Sequence, residues 1–299
     1  MTLDSLFSGT DKFLRGNLHT HTTNSDGALP LEEVVNRYKA SGYDFLAITD
    51  HFLPSYDFPL TDARQYQTDT FTPLASAELH VPRTENSALW HITAIGLPYD
   101  FEPTREGEDG PTISRRAADA GAFITLVHPA WYSLSLADAL TIEAAHAVEI
   151  YNHGCQLMHD KGDGAYLLDG LLDRGRRILT TAVDDAHFKS PDFGAAWVQL
   201  KADSRDQADI VAALKAGRYY STQGPTFHSI ETTSEHITVH CSAVNGVLVV
   251  GAGYLMSYQF ATGLTRATID LAPLEKSPWY RIVLIGADGK RAWSNPVWK

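Results

Sequence analysis

Cysteine is almost absent from this chain. Two in 299 residues, Cys155 and Cys241, stand far apart and make no disulfide framework. Reduced thiols in a cytoplasmic protein are the simpler expectation. Cations are scarce as well: 24 Lys and Arg stand against 36 Asp and Glu, a formal net charge of -12. That balance argues against nucleic acid as a partner, because phosphate backbones are gripped by clustered Lys and Arg. It does not exclude a small anion, since bound divalent ions can be the largest local charges in a site. No apolar run approaches the ~20 residues of a membrane helix. Met1 to Phe13, with Asp4 and Asp11, has no apolar core and does not read as a signal peptide. What remains is an ordinary globular composition, long enough for one large α/β domain plus a small one.

Against these absences, metal-type side chains recur where apolar runs end. His19-Thr20-His21 with Asp26 follows Phe13-Leu14, Asp50-His51 follows Phe45 to Ile48, and Asp185-Ala186-His187 follows Ile178 to Val183. A buried strand with a polar tip is how α/β barrels build active sites. Imidazole with carboxylate suits Zn, Mn or Fe. The pattern points to a multinuclear metal site and to hydrolysis.

Strands and helices alternate from about residue 13 to 220, which implies a mostly parallel sheet. Helices are expected around Leu31–Tyr38, over Thr112 to Ala120, from a Ser135 cap through Ala145, around Leu167–Leu172, and after a Ser204/Gln207 capping box. One segment breaks the alternation. Phe71 to Ala77 and Trp90 to Leu97 read as strands joined by a link with no helical pattern, so an antiparallel hairpin would set Glu78 beside His91. After Gly224-Pro225 the texture becomes strands alone: Ile237–His240, Gly246–Val250, Ala267–Leu271 and Tyr280–Ile285. The expected division is 1–225 for a hydrolase domain and 226–299 for a β-sheet appendage.

The residues in order are Asn17-Leu18-His19-Thr20-His21, Ser25-Asp26-Gly27, Ile48-Thr49-Asp50-His51, Glu78, His91, Val127-His128-Pro129 and Asp185-Ala186-His187. As an ordered set over roughly residues 14–224 they resemble the PHP (polymerase and histidinol phosphatase) family. The resemblance implies an α/β fold, a distorted (β/α)7 barrel, holding two or three divalent ions (Mn, Zn or Fe). Nine side chains would bind them: His19, His21, Asp26, His51, Glu78, His91, His128, Asp185 and His187. In the family pattern the first pair and Glu78 serve one ion. Asp26, His51 and two later histidines serve the others, and Asp185 with His187 closes the site. Glu78, Asp185 and His187 are expected to carry the catalysis. A second resemblance, in Gly217 to Pro225 and Ala292 to Trp298, is to PHP proteins with a C-terminal β appendage similar to carbaryl hydrolase, some described as cleaving carboxyl or carbamate esters.

Paired ions lower the pKa of bound water and clamp the entering and leaving oxygens. A phosphoesterase acting on a small phosphorylated molecule through a metal-bound hydroxide is therefore the leading expectation. A carboxyl or carbamate ester hydrolase is the second, and a non-catalytic metal-stabilised module the third. A neutral lining would favour the ester, converging Arg or Lys the phosphate. Asp50 is a candidate to hold a ligand histidine's second nitrogen. His153, with Asn152 and Glu149, could face the mouth. Asp184 is either support for the site or a turn residue. Lys161, Lys189, Arg83 and Arg105 could hold an anion, and Trp131 could line the pocket. His80, His146, His159, His228, His236 and His240 have no ligand context and read as surface or hydrogen-bonded residues.

Overall fold

The computed structural model describes residues 6–7 and 12–299, so the N-terminal reading that rested on Asp4 and Asp11 lies outside the described residues. The short apolar runs become strands: half-buried β1 (Leu14–Asn17), then, after helix α1 (Leu31–Ala40), fully buried β2 (Phe45–Ile48). α1 lies between Pro30 and Gly42 and buries Val34, Val35 and Tyr38. β3 (His51–Phe52), β4 (Thr72–Leu79) and β5 (Ile92–Ile95) follow. Then come α2 (Gly110–Asp119), β6 (Phe123–Leu126), α3 (Leu136–Thr141) and β7 (Ala147–Asn152). α4 (His153–His159), α5 (Ala165–Leu172), β8 (Leu179–Val183), β9 (Trp197–Leu200), α6 (Gln207–Lys215) and β10 (Tyr219–Thr222) complete this part.

Strand order through it runs β10-β9-β1-β2-β4-β5-β6-β7-β8. β1, β2 and β4 are parallel, as are β6, β7 and β8. β5 is antiparallel to both its neighbours, and β9 to both of its own. The row curls until its last strand, β8, returns to β1. Thr20, just past β1, bridges Ala186, just past β8. There the Asp185 N–H donates to the His19 carbonyl at 3.0 Å and the His21 N–H to the Ala186 carbonyl at 3.0 Å. The expected mixed α/β fold holds. Seven regular β/α units do not appear among the described residues, because the β4–β5 hairpin and β9 interrupt the parallel repeat.

Two helix ends differ from expectation. Ser135 does cap α3, accepting the Asp138 N–H, but the helix stops at Thr141 because Ile142 leaves helical geometry. Ser204 and Gln207 form no capping box. Asp206 is the cap residue, and the Gln207 side chain instead accepts the Ala75 N–H.

The tail is β11 (Phe227–Thr232), β12 (His236–Gly251), β13 (Met256–Asp270), β14 (Trp279–Ile285), β15 (Arg291–Ser294) and β16 (Val297–Trp298). Two expected strands merge into β12, which absorbs the irregular Cys241–Asn245 stretch through register shifts against β13. β15 pairs with β10, so the tail strands and the curled row form one sixteen-stranded sheet. Trp279, Val283 and Trp293 of the tail join the same core as Ile150, Leu168 and Leu172.

Candidate metal centre

The parallel strands end on one side, and the metal-type residues sit there. Thr22 and Gly27 N–H and C=O groups close a tight turn after His21. A side chain on Gly27 would meet the His21 carbonyl at 2.7 Å, so the Ser25-Asp26-Gly27 segment needs glycine there. Asp50 at the end of β2 fixes that turn. It accepts the Thr22 N–H and the hydroxyls of Thr22, Ser25 and Thr61. Its expected role beside a histidine ring is therefore corrected: it organises the loop that carries Asp26.

Glu78, wholly buried on β4, lies at the middle of the cluster. Its Oε2 is 3.6 Å from Nε2 of both His19 and His21 and 2.8 Å from His51 Nδ1. Its Oε1 is 2.8 Å from His91 Nδ1 and 3.2 Å from His128 Nε2. The β4–β5 hairpin makes the His91 approach possible by pairing Glu78 with Thr93. Asp185 Oδ1 is 3.3 Å from His19 Nε2 and 3.2 Å from His21 Nε2. Asp26 Oδ1 is 3.2 Å from Nε2 of both His51 and His187. All nine expected side chains thus converge. His128 and Asp185 hold positive φ of 28° and 53°, strained backbone of the kind that clusters at functional sites.

Buried polar atoms are normally hydrogen-bonded. Here His19 Nε2, both ring nitrogens of His21, Asp26 Oδ1, Glu78 Oε2, His128 Nδ1 and Asp185 Oδ1 are buried and make no hydrogen bond. Donor atoms within 4.8 Å of one another form four groups: His21/Asp26/His51/His187, His19/His21/Asp185, His19/Glu78/His128 and His51/Glu78/His80. Orphaned nitrogen and carboxylate atoms in such groups fit divalent cations. The set contains imidazole and carboxylate but no thiolate. Burial, with Asp185 nearby, pushes the Cys155 thiol up and keeps it neutral.

Electrostatics shows the same demand for positive charge. Burial alone would raise Glu78, but His51, His80, His128 and His19 hold it well below the usual carboxylate range. Burial would also raise Asp185, and His19, His21 and His187 outweigh it. Burial works to lower His19, yet Asp185 and Glu149 hold it well above an ordinary imidazole. His21 is pushed well below by burial and by the neighbouring His187 and His51. A divalent ion at these groups would take the place of the protons that His19 holds between the carboxylates.

Supporting residues hold the rings. Glu149 Oε1 is 2.7 Å from His19 Nδ1, while its Oε2 accepts the His128 N–H and the Asn152 amide. Asn152 also donates to Asp185 at 3.0 Å. Asp184 accepts the N–H groups of Gly194, Ala195 and Ala196 and the Tyr38 hydroxyl, so it anchors a loop. His80 and His159, both expected outside the site, line its cavity, and His80 reaches the donors. His80 is buried, its Nδ1 lies 3.1 Å from the Trp90 carbonyl, and its Nε2 is 2.8 Å from His51 Nδ1. The only signal for it was position: two residues after Glu78, where an extended chain returns to the same side, here just past the end of β4.

A cavity of about 390 Å³ opens over the cluster. Lys189, Trp131 and His159 line it; Arg83, Arg105, Lys161 and His153 do not. Lys189 is tied to Asp26 at 2.9 Å. Lys161 lies by the Trp131 carbonyl, and His153 Nδ1 pairs with the Tyr151 hydroxyl at 3.0 Å. His146 accepts the Ile124 N–H in a strand pairing far from the cavity lining.

A search of curated proteins finds no match. Among solved structures, the chain is similar to a two-domain protein from Bacteroides vulgatus containing a predicted PHP-like metal-dependent phosphoesterase, with 17% identity, 88% of each chain covered and a TM-score of 0.54. That likeness is one of fold. It is also similar to an amidohydrolase from Chromobacterium violaceum with bound sulfate and no metal, at 16% identity, covering 68% of this chain and 96% of that one, TM-score 0.48. The PHP domain model matches residues 17–167, the segment that carries His19 through His128, and the chain belongs to the PHP domain family.

Proposed function

We propose that this protein is a metal-dependent hydrolase, and specifically a phosphoesterase acting on a small phosphorylated molecule. The observation that carries the reading is the ring of buried, unbonded nitrogen and carboxylate atoms around Glu78. His19, His21 and Asp185 would hold one ion, Asp26, His51 and His187 a second, and His91 with His128 a third, with Glu78 shared between sites. Glu78 suits sharing because its two oxygens face different imidazoles. When bound, two or three such ions (Mn, Zn or Fe) supply an activated water and neutralise charge on the attacked group. The protein's own part is to fix their positions. Glu149 holds His19, the Asp50 turn holds Asp26, and Lys189 places one ammonium at the mouth. The cavity volume suits a small molecule. Burial of both cysteines accords with the cytoplasmic location we propose.

A second reading, a carboxyl or carbamate ester hydrolase on the same site, is favoured by the cavity wall. Leu53, Tyr56, Leu89, Trp131 and Met158 line it with one Lys and no Arg. A non-catalytic metal-stabilised module fits less well, because seven of the nine donors line a cavity. Protein reconstituted with Mn or Zn should hydrolyse a generic phosphomonoester, and chelation should abolish this. Ester cleavage without phosphatase activity across a broad panel would replace the first reading with the second.

A further inference from the structure

The donor cluster occupies one end of the cavity, and an apolar wall begins where it stops. The Trp131 ring centroid is 5.3 Å from those of both His91 and His128. Tyr56 stacks toward His51 from the other side at 6.3 Å. Leu53, Leu89 and Met158 continue the wall to the mouth. Leu89 is 40% and Met158 47% exposed, so this wall presents large apolar side chains to water. Contiguous exposed apolar surface beside a polar site marks a place where a ligand is bound. The lining offers no cation for a second anionic group: Lys189 is its single Lys or Arg, and that ammonium is engaged by Asp26. Beyond the metal-type cluster and Lys189, the polar groups on the lining are His159, the Tyr56 hydroxyl, the Trp131 indole N–H and the neutral Cys155 thiol, few for a hydroxyl-rich sugar.

We propose that this wall is a subsite for a bulky uncharged group, aryl or branched alkyl, so that the substrate is a monoester of an apolar alcohol and not a sugar phosphate, nucleotide or polyphosphate. That the group belongs to the alcohol rests on the phosphomonoester reading. With the phosphoryl group at the donor cluster, only the alcohol can reach the wall. In the hydrolysis, water oxygen bonds to phosphorus, the phosphorus–oxygen bond to the alcohol breaks, and the alcohol leaves carrying a proton from that water.

The test is calorimetric binding of benzylphosphonate against methylphosphonate to the manganese-loaded protein, with no turnover involved. Benzylphosphonate should bind about tenfold tighter or more, with the more negative heat-capacity change. Leu89→Ser and Met158→Ser, at partly exposed positions that the fold does not need, should each shrink that ratio. Equal affinities, or tighter binding of 2-hydroxyethylphosphonate, would overturn the subsite. In parallel, turnover of benzyl against ethyl phosphate and of benzyl against ethyl acetate compares alcohols of similar acidity. A benzyl preference confined to the acetates would retire the phosphoesterase reading and keep the subsite. Phosphate turnover with no benzyl preference in either arm would do the reverse.

Discussion

At the scale of single residues, Glu78 and His80 show two different ways in which one strand builds a site. Glu78 lies on β4 and His80 just past its last residue, and Glu78 is within 4 Å of six imidazoles, those of His19, His21, His51, His80, His91 and His128. Glu78→Gln keeps the shape and replaces an anion by a neutral amide that bridges cations poorly. It should leave the fold intact and lower turnover about a hundredfold or more, since even supporting residues around metals cost 10–100-fold. Equal activity under saturating metal would show that Glu78 is not shared between ions. His80 acts through His51. With Nδ1–H given to the Trp90 carbonyl, its Nε2 can accept the His51 Nδ1–H and leave His51 Nε2 toward Asp26. His80→Leu should therefore weaken metal binding about 10–100-fold, and His80→Gln, which keeps an acceptor, less. Competition with a chromogenic chelator measures this directly, and identical affinities for all three proteins would remove the positioning role. Glu78 was legible because it ends an apolar run inside an ordered motif. His80 was not, since a histidine in a strand is ordinary until its neighbour's ring is located.

The elements were most legible where periodicity and punctuation agreed. α1 sits between Pro30 and Gly42 as its apolar spacing requires, and the short link after Leu79 returns as an antiparallel strand. Legibility failed where a side chain found a partner distant in sequence. Gln207, apt for a capping box, turns instead to the Ala75 N–H of β4. The β6–β7 pairing contains a further titratable element. His146 accepts the Ile124 N–H at 3.0 Å while its own N–H donates to the Ile124 carbonyl. Burial first, then the Lys215 ammonium, push this imidazole down from 6.5 to about 4. The folded state thus prefers the neutral ring, and the unfolded chain binds the extra proton. This contribution to stability is full above about pH 6.5 and is lost as pH falls toward about 4. His146→Gln keeps an acceptor and cannot titrate. Unfolding in denaturant after chelation should show the parent losing more stability than the variant between pH 7 and 4.5. Parallel losses would place the sensitivity elsewhere.

Across the whole molecule, the change of texture at residue 225 has a counterpart in the elements: among the described residues every α-helix lies before it, and the tail is strands with one short 3-10 turn. The composition gave no sign that the two parts would share a sheet and a core. That sharing depends on pairings between β10 and β15 and on Arg281, whose guanidinium meets both Asp169 oxygens at 2.9 and 2.8 Å. Asn295 is another of these joints. Buried, it accepts the Thr180 N–H at 2.9 Å through Oδ1 and donates through Nδ2 to the Gly217 and Tyr219 carbonyls at 3.2 and 2.9 Å. Thr180 lies on β8, five residues before Asp185, so the tail braces the strand that delivers a central donor. It supplies none of the nine donors itself. His228, His236 and His240 lie outside every donor group found among the described residues. The tail's contribution is then stability and strand position. Asn295→Ala strands two buried backbone groups and one partly buried one and should destabilise the protein by about 2–4 kcal/mol, while metal content per folded chain stays at the parent value. Unfolding in denaturant and metal analysis on the same preparation check both halves. An unchanged stability would remove the joint, and a fall in bound metal with the fold intact would mean that the tail governs the donor geometry as well as bracing it.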